Sequence, residues 1–492
     1  MARNLMIQGT MSGVGKSLLT AAFCRIFHQD GFSVAPFKSQ NMALNSFVTA
    51  DGGEMGRAQV LQAQAAGREP DVRMNPVLLK PSSDTGSQVI VNGRVRGDYR
   101  ASDYFKMKKT LIPEIMAAYR SLEAENDIIV IEGAGSPAEI NLKAGDIVNM
   151  GMADLADAPV ILVGDIDPGG VFAQLYGTLA LLDPGERARV VGTVINKFRG
   201  DVRLLEPGLA MLEELTGVPV LGVVPYLRVD LDDEDSLSPR FRQTSASRPL
   251  DIAVIRLPHI SNFTDFSPLE RHGQIGLRYV SDVRKLACPD LVILPGSKNT
   301  MSDLLWMREN GLESAVRELS ARDVPVLGIC GGYQMLGRSI SDPEHAEHGG
   351  EMEGMGLLPV STVFSSRKTQ KQTGAVVTAG PFAGAGIRGY QIHMGLTEGA
   401  AVPLCTLDDG TAEGAVCGNV FGTYLHGLFD SGELTAELAG WLMRRKGLDA
   451  GAACTESHSD FQQRQLDLLA DTVRSSIDLD AVYRSMEEFD RG

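Results

Sequence analysis

Residues 4–28 read NLMIQGTMSGVGKSLLTAAFCRIFH and open with an apolar run of strand length, residues 4–9. A glycine-rich segment, residues 9–17, separates this run from residues 17–28, whose apolar spacing is typical of a helix. In a strand–loop–helix unit of this kind, backbone N–H groups of the loop and the positive end of the helix bind phosphate oxygens. The segment therefore predicts a phosphate-binding loop at the carboxyl end of a buried strand.

Four residues of this loop carry the expected nucleotide chemistry. Gly13 and Gly15 let the backbone turn around a phosphate group. Lys16 places a positive charge on the terminal phosphates, and Ser17 offers a hydroxyl ligand to Mg²⁺. The strict G-x-x-x-x-G-K-[ST] pattern has its first glycine at position 10, whereas this chain has it at Gly9, so the loop is a variant. We expect ATP and Mg²⁺ to bind here.

Polar side chains end later apolar runs and extend this prediction. Because ligands of open α/β sheets lie at the carboxyl ends of strands, Glu132 is well placed as a second Mg²⁺ ligand. Asp165 and Asp167 are weaker candidates, since either could cap a helix instead. Lys38 follows the second run and could contact a phosphate or the substrate, although a solvated surface lysine is an equal alternative. Asn196 ends another run and is expected to face the adenine of ATP.

Apolar runs separated by helical lengths recur along the chain and predict doubly wound α/β domains with parallel sheets. The runs are residues 33–37, 127–133, 159–165, 190–196 and 219–225, followed by 251–257, 290–296 and 324–330. A polar, acid-rich stretch between the two sets has the character of a linker. The predicted organisation is a nucleotide-binding domain at 1–229, a linker at 230–249, a second α/β domain at 250–432 and a helical extension at 433–492.

Composition limits the class of protein. The 492 residues carry a net charge of −16, which argues against nucleic acid as a partner because phosphate backbones bind basic surfaces. Six cysteines form no C-x-x-C pair, so they favour a reducing compartment over disulfides or zinc. The N-terminus has no signal-peptide pattern, and no apolar run is long enough to span a bilayer. We expect a cytoplasmic protein without membrane or nucleic-acid partners.

One cysteine has the setting of a catalytic nucleophile. Cys330 lies in GICGG, residues 328–332, directly after a strand-like run, where small neighbours permit a sharp strand-to-helix turn. The start of the following helix favours a thiolate, and the backbone N–H of Gly331 can bind an oxyanion. Gly296 and Ser297, after the preceding run, are expected to provide the second oxyanion donor and to bind substrate.

A thiol nucleophile needs a base, and two histidines have a suitable setting. His426 stands in GTYLHG at the end of a strand-like run, and His393 stands in GYQIHMG. The residue pattern alone leaves both open as the partner of Cys330.

These motifs, in this order, resemble the cobyric acid synthase family over nearly the whole chain. The resemblance rests on the variant phosphate loop, the acid-ended strand, GICGGYQMLG (328–337) and GTYLHG (422–427). It implies a dethiobiotin-synthetase-like P-loop domain followed by a class I glutamine amidotransferase domain. Three segments favour this family over its sister, the cobyrinic acid a,c-diamide synthases: SQNMALN (39–45), KPSSD (80–84) and PGSKNT (295–300).

The resemblance also implies an activity. Members amidate four peripheral carboxylates (b, d, e and g) of adenosylcobyrinic acid a,c-diamide, a corrinoid polycarboxylate, with ATP, Mg²⁺ and glutamine as nitrogen donor. It implies Cys330 as nucleophile and His426 as base. Two positions depart from the pattern: Leu428 stands where many triad amidotransferases have glutamate, and Gln391 where the family often has glutamate. The first departure puts a full catalytic triad in doubt.

Three other interpretations compete. A different two-module amidoligase, such as an a,c-diamide synthase, would share both sites. A nucleotide switch of the ParA type would have a lysine early in the phosphate loop, and Met11 at the corresponding position counts against this class. A stand-alone cysteine hydrolase would leave the first half of the chain without a role.

Overall fold

A computed structural model describes residues 2–83, 86–227, 229–231, 248–347, 349–449 and 456–489. The chain forms two compact units. The first comprises Met1–Ala43, Gly53–Leu231 and Gln462–Gly492, and the second comprises Leu44–Gly52 and Asp232–Phe461. This division differs from the predicted boundaries in two places, because a short early segment joins the second unit and the predicted C-terminal extension is shared between both. Most of the predicted linker, residues 232–247, and Asp84 of the KPSSD segment lie outside the described residues.

The strands of the described chain are short except for one long hairpin. In chain order they are β1 (Arg3–Gly9), β2 (Val34–Phe37), β3 (Gln40–Met42), β4 (Ser46–Val48), β5 (Glu54–Gly56), β6 (Val77–Ser83), β7 (Gly86–Val91), β8 (Arg94–Arg100), β9 (Ile128–Glu132), β10 (Val160–Asp165), β11 (Val190–Phe198), β12 (Val220–Pro225), β13 (Leu250–Ile255), β14 (Ile260–Ser261), β15 (Ile275–Val280), β16 (Leu291–Leu294), β17 (Gly296–Ser297), β18 (Val326–Ile329), β19 (Ser339–Asp342), β20 (Gly350–Glu353), β21 (Val360–Val377), β22 (Gly386–Gly399), β23 (Cys405–Leu407), β24 (Ala412–Glu413), β25 (Ala415–Cys417), β26 (Val420–Thr423) and β27 (Leu425–His426). The hairpin is formed by β21 and β22, which pair antiparallel.

The α-helices connect these strands. They are α1 (Lys16–Gln29), α2 (Arg57–Ala65), α3 (Ala101–Met107), α4 (Ile112–Glu125), α5 (Met150–Leu155), α6 (Val171–Leu181), α7 (Pro184–Ala188), α8 (Glu206–Thr216), α9 (Ser267–Arg271), α10 (Thr300–Glu309), α11 (Leu312–Ala321), α12 (Gly331–Leu336), α13 (Glu433–Arg445), α14 (His458–Arg474) and α15 (Leu479–Phe489). Within the described ranges, none of them is both long and apolar enough to cross a membrane.

The first unit is built on a six-stranded parallel sheet. Its strand order is β12-β11-β10-β1-β9-β2, so β1 lies between β9 and β10. The side chains of the central strands are almost completely buried, as expected for a sheet covered by helices on both faces. The register pairs Ile7 with Glu132 and Gly9 with Val163, which brings the loop after β1 close to the ends of both neighbouring strands. The predicted α/β fold of this half is confirmed.

Part of the predicted C-terminal extension completes this unit. Leu466, Leu469 and Val473 of α14 are buried in the same apolar cluster as Leu5 and Ile7 of β1. Amphipathic helices need an apolar surface to cover, and here the sheet of the first unit supplies it. A second, four-stranded sheet of the order β3-β6-β7-β8 also belongs to this unit.

The second unit contains a further mostly parallel sheet, of order β15-β13-β16-β18-β26-β25, in which only β25 runs antiparallel. β18 and β26 are neighbours, with Gly328 opposite Gly422 and Ile329 opposite Thr423. The turn after β18 and the segment after β26 therefore lie side by side. The long hairpin belongs to another sheet, whose edge strand β27 pairs Tyr390 with His426.

Candidate functional sites

The loop after β1 has the backbone geometry of a phosphate-binding turn. Gly13 and Gly15 have φ values of 75° and 96°, a region that favours glycine. A Cβ at Gly15 would overlap the side-chain amide of Asn196, which donates a hydrogen bond to the Val14 carbonyl at 2.8 Å. Asn196 thus packs directly against the loop in this structure.

Two lysines donate hydrogen bonds to backbone carbonyls of this loop. Lys16 is buried, and its Nζ donates to the carbonyls of Met11 and Gly135, both at 3.1 Å. Lys197, the neighbour of Asn196, donates to the Gly13 carbonyl at 2.6 Å and to Asp165 at 2.7 Å. Asp165, a weaker candidate for Mg²⁺, is therefore already paired with a cation.

Glu132 lies at the centre of a buried polar cluster beside the loop. Its Oε1 accepts hydrogen bonds from Ser17 Oγ and from Lys38 Nζ, each at 2.8 Å. Its Oε2 accepts one from Gln62 of α2 at 2.5 Å. Lys38 is only 4% exposed, so it is not the solvated surface lysine considered as an alternative. The start of α1, the residue after β2 and α2 thus each contribute a donor to one carboxylate.

This cluster fits a magnesium–nucleotide complex by the chemistry of its donors. Mg²⁺ is usually held by one or two carboxylate or hydroxyl oxygens, by phosphate oxygens and by water. Ser17 and Glu132 place one hydroxyl and one carboxylate in direct contact at the start of α1. Within the described ranges, no group of three or more His, Cys, Asp or Glu side chains could hold a metal by itself. Ser17 and Glu132 supply one hydroxyl and one carboxylate of the kind that a magnesium–phosphate complex uses.

Cys330 stands between β18 and α12 in a strained backbone conformation. Its φ is 50° and its ψ is −107°, which is rare for a residue with a side chain. A Cβ at Gly328 would lie 2.7 Å from the backbone of Gly332, and a Cβ at Gly332 would overlap the Leu294 carbonyl. The glycines around Cys330 are thus required by close packing, as in other strand-to-helix nucleophile turns.

The segment Gly296–Ser297 lies against both this turn and a histidine. A Cβ built on Gly331 would be 2.8 Å from the Ser297 amide nitrogen. A Cβ on Gly296 would be 3.2 Å from His426 Cε1. The structure therefore brings together all five residues that were predicted for this site.

His426 joins Cys330 to a buried carboxylate. Its Nδ1 lies 2.6 Å from Asp265 Oδ2, and the backbone N–H of Gly427 donates to Asp265 Oδ1 at 2.9 Å. Burial by itself lowers the pKa of His426, but the charge and hydrogen bond of Asp265, together with the nearby Cys330, raise it above its usual range. The imidazole of His426 thus stands between the Asp265 carboxylate and the Cys330 thiol, whose Sγ donates a hydrogen bond to the Ile392 carbonyl at 3.6 Å.

Comparison with known proteins matches both halves. Residues 5–236 fit the CobQ/CobB/MinD/ParA nucleotide binding domain, and residues 251–434 fit the CobB/CobQ-like glutamine amidotransferase domain. A cobyric acid synthase of Lachnoclostridium phytofermentans is 54% identical over 99% of this chain and 100% of its own length. Those of Yersinia enterocolitica and Salmonella typhimurium are each 53% identical over 99% of this chain and 98% and 99% of their own lengths. The chain belongs to the cobyric acid synthase family.

For this cobyric acid synthase family member, sequence reasoning missed Asp265. The glutamate expected two residues after the histidine is replaced by Leu428, which is buried. Asp265 instead comes from a 3₁₀ turn, Phe263–Phe266, far earlier in the chain. The only local signal was an acidic residue within the aromatic sequence NFTDF, since a buried carboxylate among apolar side chains needs a partner.

The other candidate base, His393, has a different environment. Its Nδ1 bonds to the Gly395 carbonyl at 2.8 Å, and its ring stacks on Tyr424 with 3.7 Å between centroids. Burial lowers the pKa of His393 to about 4, so it is neutral at pH 7. Of the two candidate bases in this cobyric acid synthase family member, His426 is bonded to a carboxylate and His393 is bonded to a backbone carbonyl.

Proposed function

We propose that this chain is a glutamine-hydrolysing carbon–nitrogen ligase of cobalamin biosynthesis. It amidates the b, d, e and g carboxylates of adenosylcobyrinic acid a,c-diamide to give adenosylcobyric acid, using ATP, Mg²⁺ and glutamine. One observation carries this proposal: the buried series Cys330–His426–Asp265 occurs in the same chain as the phosphate loop with its Glu132 cluster. Relatives that share about half of their residues over the full length are named for this activity.

In the nucleotide-binding unit, the chemistry required is activation of a carboxylate. A carboxylate resists attack by ammonia because oxide would have to leave, whereas its acyl phosphate releases inorganic phosphate. In this proposal Lys16 and the N–H groups of the loop hold the phosphates of ATP. Ser17 and Glu132 would hold Mg²⁺, which neutralises phosphate charge when bound. Lys38, whose Nζ bonds to Glu132 Oε1, would contact the transferred phosphoryl group.

In the amidotransferase unit, Cys330 and His426 release ammonia from glutamine. His426 takes the proton of the Cys330 thiol, the resulting thiolate attacks the amide carbon, and the N–H groups near Gly331 and Ser297 stabilise the oxyanion. His426 then donates its proton to the departing nitrogen, which leaves as ammonia. Water, deprotonated by His426, cleaves the thioester to glutamate and restores the thiol. Asp265 holds the imidazole in one orientation throughout, as a positioning residue.

A mass-spectrometric assay tests the proposal. The chain is incubated with ATP, Mg²⁺, glutamine and adenosylcobyrinic acid a,c-diamide, and the amides added to the corrinoid are counted from its mass. Addition of four amides is expected. Failure with this substrate, together with amidation of cobyrinic acid itself, would support the a,c-diamide synthase alternative. Absence of glutamine hydrolysis would instead favour a nucleotide switch.

We further propose a cytoplasmic location, with small-molecule substrates and without nucleic-acid or membrane partners. Cys288 and Cys417 are exposed free thiols, which persist in a reducing compartment. The net charge of −16 disfavours nucleic acid.

A further inference from the structure

A short segment from the early part of the chain is built into the unit that carries Cys330 and His426. Leu44–Gly52 belongs to this second unit, whereas the chain on both sides of it, Met1–Ala43 and Gly53–Leu231, belongs to the nucleotide-binding unit. The segment contains β4, and Ser46 and Val48 are completely buried. A buried polar backbone needs hydrogen-bond partners, and these partners show what the segment does.

The carbonyl oxygens of the segment accept hydrogen bonds from the amidotransferase unit. Ser46 O accepts from the Tyr390 hydroxyl at 3.1 Å and from Asn262 Nδ2 at 3.4 Å. Asn262 Nδ2 also donates to the Tyr390 hydroxyl at 2.8 Å, which closes a three-membered network. Val48 O accepts from Gln372 Nε2 at 2.9 Å. Two alternate carbonyls of β4 thus anchor the segment.

Tyr390 connects this network to the catalytic histidine. Its ring stacks on the imidazole of His426, with centroids 5.4 Å apart and an interplanar angle of 22°. The two residues are also direct partners in the β22–β27 pairing. The Phe47 ring packs edge-on against Tyr390, at 5.2 Å between centroids. A shift of Ser46 or Phe47 would therefore displace the Tyr390 ring that stacks on His426.

Asn262 connects the same network to the carboxylate. It begins the 3₁₀ turn that carries Asp265, with a φ of 52°, and its carbonyl accepts the Asp265 amide at 3.0 Å. The amide group of Asn262 thus ties the start of this turn to Ser46. Asp265 in turn bonds to Nδ1 of His426. The Ser46 carbonyl oxygen therefore accepts hydrogen bonds from both Tyr390 and Asn262. Tyr390 reaches the His426 imidazole by ring stacking, and Asn262 reaches it through the turn that carries Asp265.

We propose that residues 44–52 are a positioning element for His426, and that through them glutamine hydrolysis depends on the occupancy of the nucleotide-binding unit. The segment begins two residues after β3 ends at Met42, and Lys38, which binds Glu132 of the phosphate site, lies two residues before β3 begins at Gln40. Misplacing a catalytic group by a fraction of an ångström lowers the rate of a step without removing substrate binding. The inference rests on the proposed amidation activity. It assigns Tyr390, Asn262 and Ser46 as positioning residues.

The test uses the full-length chain and measures glutamine hydrolysis with and without ATP, Mg²⁺ and the corrinoid a,c-diamide. Tyr390→Phe removes only the hydroxyl that bonds Ser46 and keeps the stacked ring. Gln372→Ala releases the segment at Val48, and Asn262→Gly keeps the left-handed turn while removing the amide. We expect each variant to lose the stimulation by ATP and corrinoid. We also expect kcat for glutamine to fall about tenfold, with little change in KM.

Matched measurements separate this proposal from loss of the fold and from failure of the proposed function. Tyr279→Phe removes another hydroxyl of the same unit, one bonded to Glu270 at 3.0 Å, and should retain wild-type kcat and stimulation. Synthesis driven by ammonia should be unchanged in all four variants. Wild-type kcat and stimulation in Tyr390→Phe and Gln372→Ala, or a wild-type glutaminase indifferent to ATP and corrinoid, would overturn the proposal. Absence of any corrinoid amidation by the wild type would contradict the proposed function instead.

Discussion

Asp265 Oδ2 lies 2.6 Å from His426 Nδ1, and both side chains are about 1% exposed. The carboxylate stands 161 positions away in the chain, yet it occupies the role that a glutamate near the histidine has in many triad amidotransferases. A buried carboxylate at this distance fixes the tautomer of the imidazole and stabilises its protonated form.

Removing the charge of Asp265 tests this role. In Asp265→Asn we expect the kcat for glutamine hydrolysis to fall by about 10³-fold, because the amide favours the wrong imidazole tautomer. Amidation driven by ammonia should persist. Asp290→Asn, a carboxylate of the same unit that pairs with Lys446 at 2.8 Å, is the matched control. A full glutaminase rate in Asp265→Asn would show that Cys330 and His426 suffice.

Removing the thiol separates the two half-reactions. Cys330→Ala should abolish synthesis driven by glutamine and leave synthesis driven by ammonium salts intact, since the phosphate site is unchanged. Cys417→Ala, which alters an exposed thiol, should behave as the wild type. Loss of both activities in Cys330→Ala, in a folded protein, would refute the division of labour between the units.

Removing the loop lysine should block both routes. Lys16→Ala is expected to lower amidation with either glutamine or ammonia by about a hundredfold or more, because a full charge next to the phosphates is lost. The rates are measured by corrinoid mass and by phosphate release. Unchanged synthesis would remove Lys16 from the nucleotide site.

A pair of glycine variants tests the packing of Asn196 on the loop. Gly15→Ala combines a φ of 96° with an overlap on the Asn196 amide, and should raise the KM for ATP and lower the free energy of unfolding by about 1–3 kcal/mol. Gly13→Ala has a similar backbone cost at φ 75° but meets no atom within 4 Å, so its effect should be smaller. Equal effects of the two substitutions on KM and unfolding would contradict the close contact.

His393, a partly buried histidine outside the triad, predicts a dependence of stability on pH. Burial lowers the pKa of His393 to about 4, so between pH 6.5 and 4 the unfolded chain binds a proton that the folded chain excludes. Stability is therefore lost as the pH falls, with an upper limit of about 3 kcal/mol from this group. In urea unfolding, the unfolding free energy of the wild type should therefore fall more between pH 7 and pH 4.5 than that of His393→Gln. His345→Gln, at an exposed position, is the control.

Local patterns in the amino-acid sequence were sufficient for the α/β fold of both halves and for the placement of the two motifs. The turn around Cys330 and the loop before Lys16 are each specified by neighbours within about ten residues. Apolar runs and glycines determine such features because strand burial and backbone conformation act over short stretches. The domain boundaries were harder to predict from sequence, since α14 and α15 cover a sheet formed by strands hundreds of residues earlier in the chain.

Tertiary structure alone decided which side chains meet. It paired His426 with Asp265, gave His393 a neutral site on Tyr424, and buried Lys38 against Glu132. It also set Ser46 among the residues behind His426. Each of these relations joins positions from distant parts of the chain, and no local propensity distinguishes one acid or one histidine from another. Their selection follows from the register of sheets and from the cost of burying a charge without a partner.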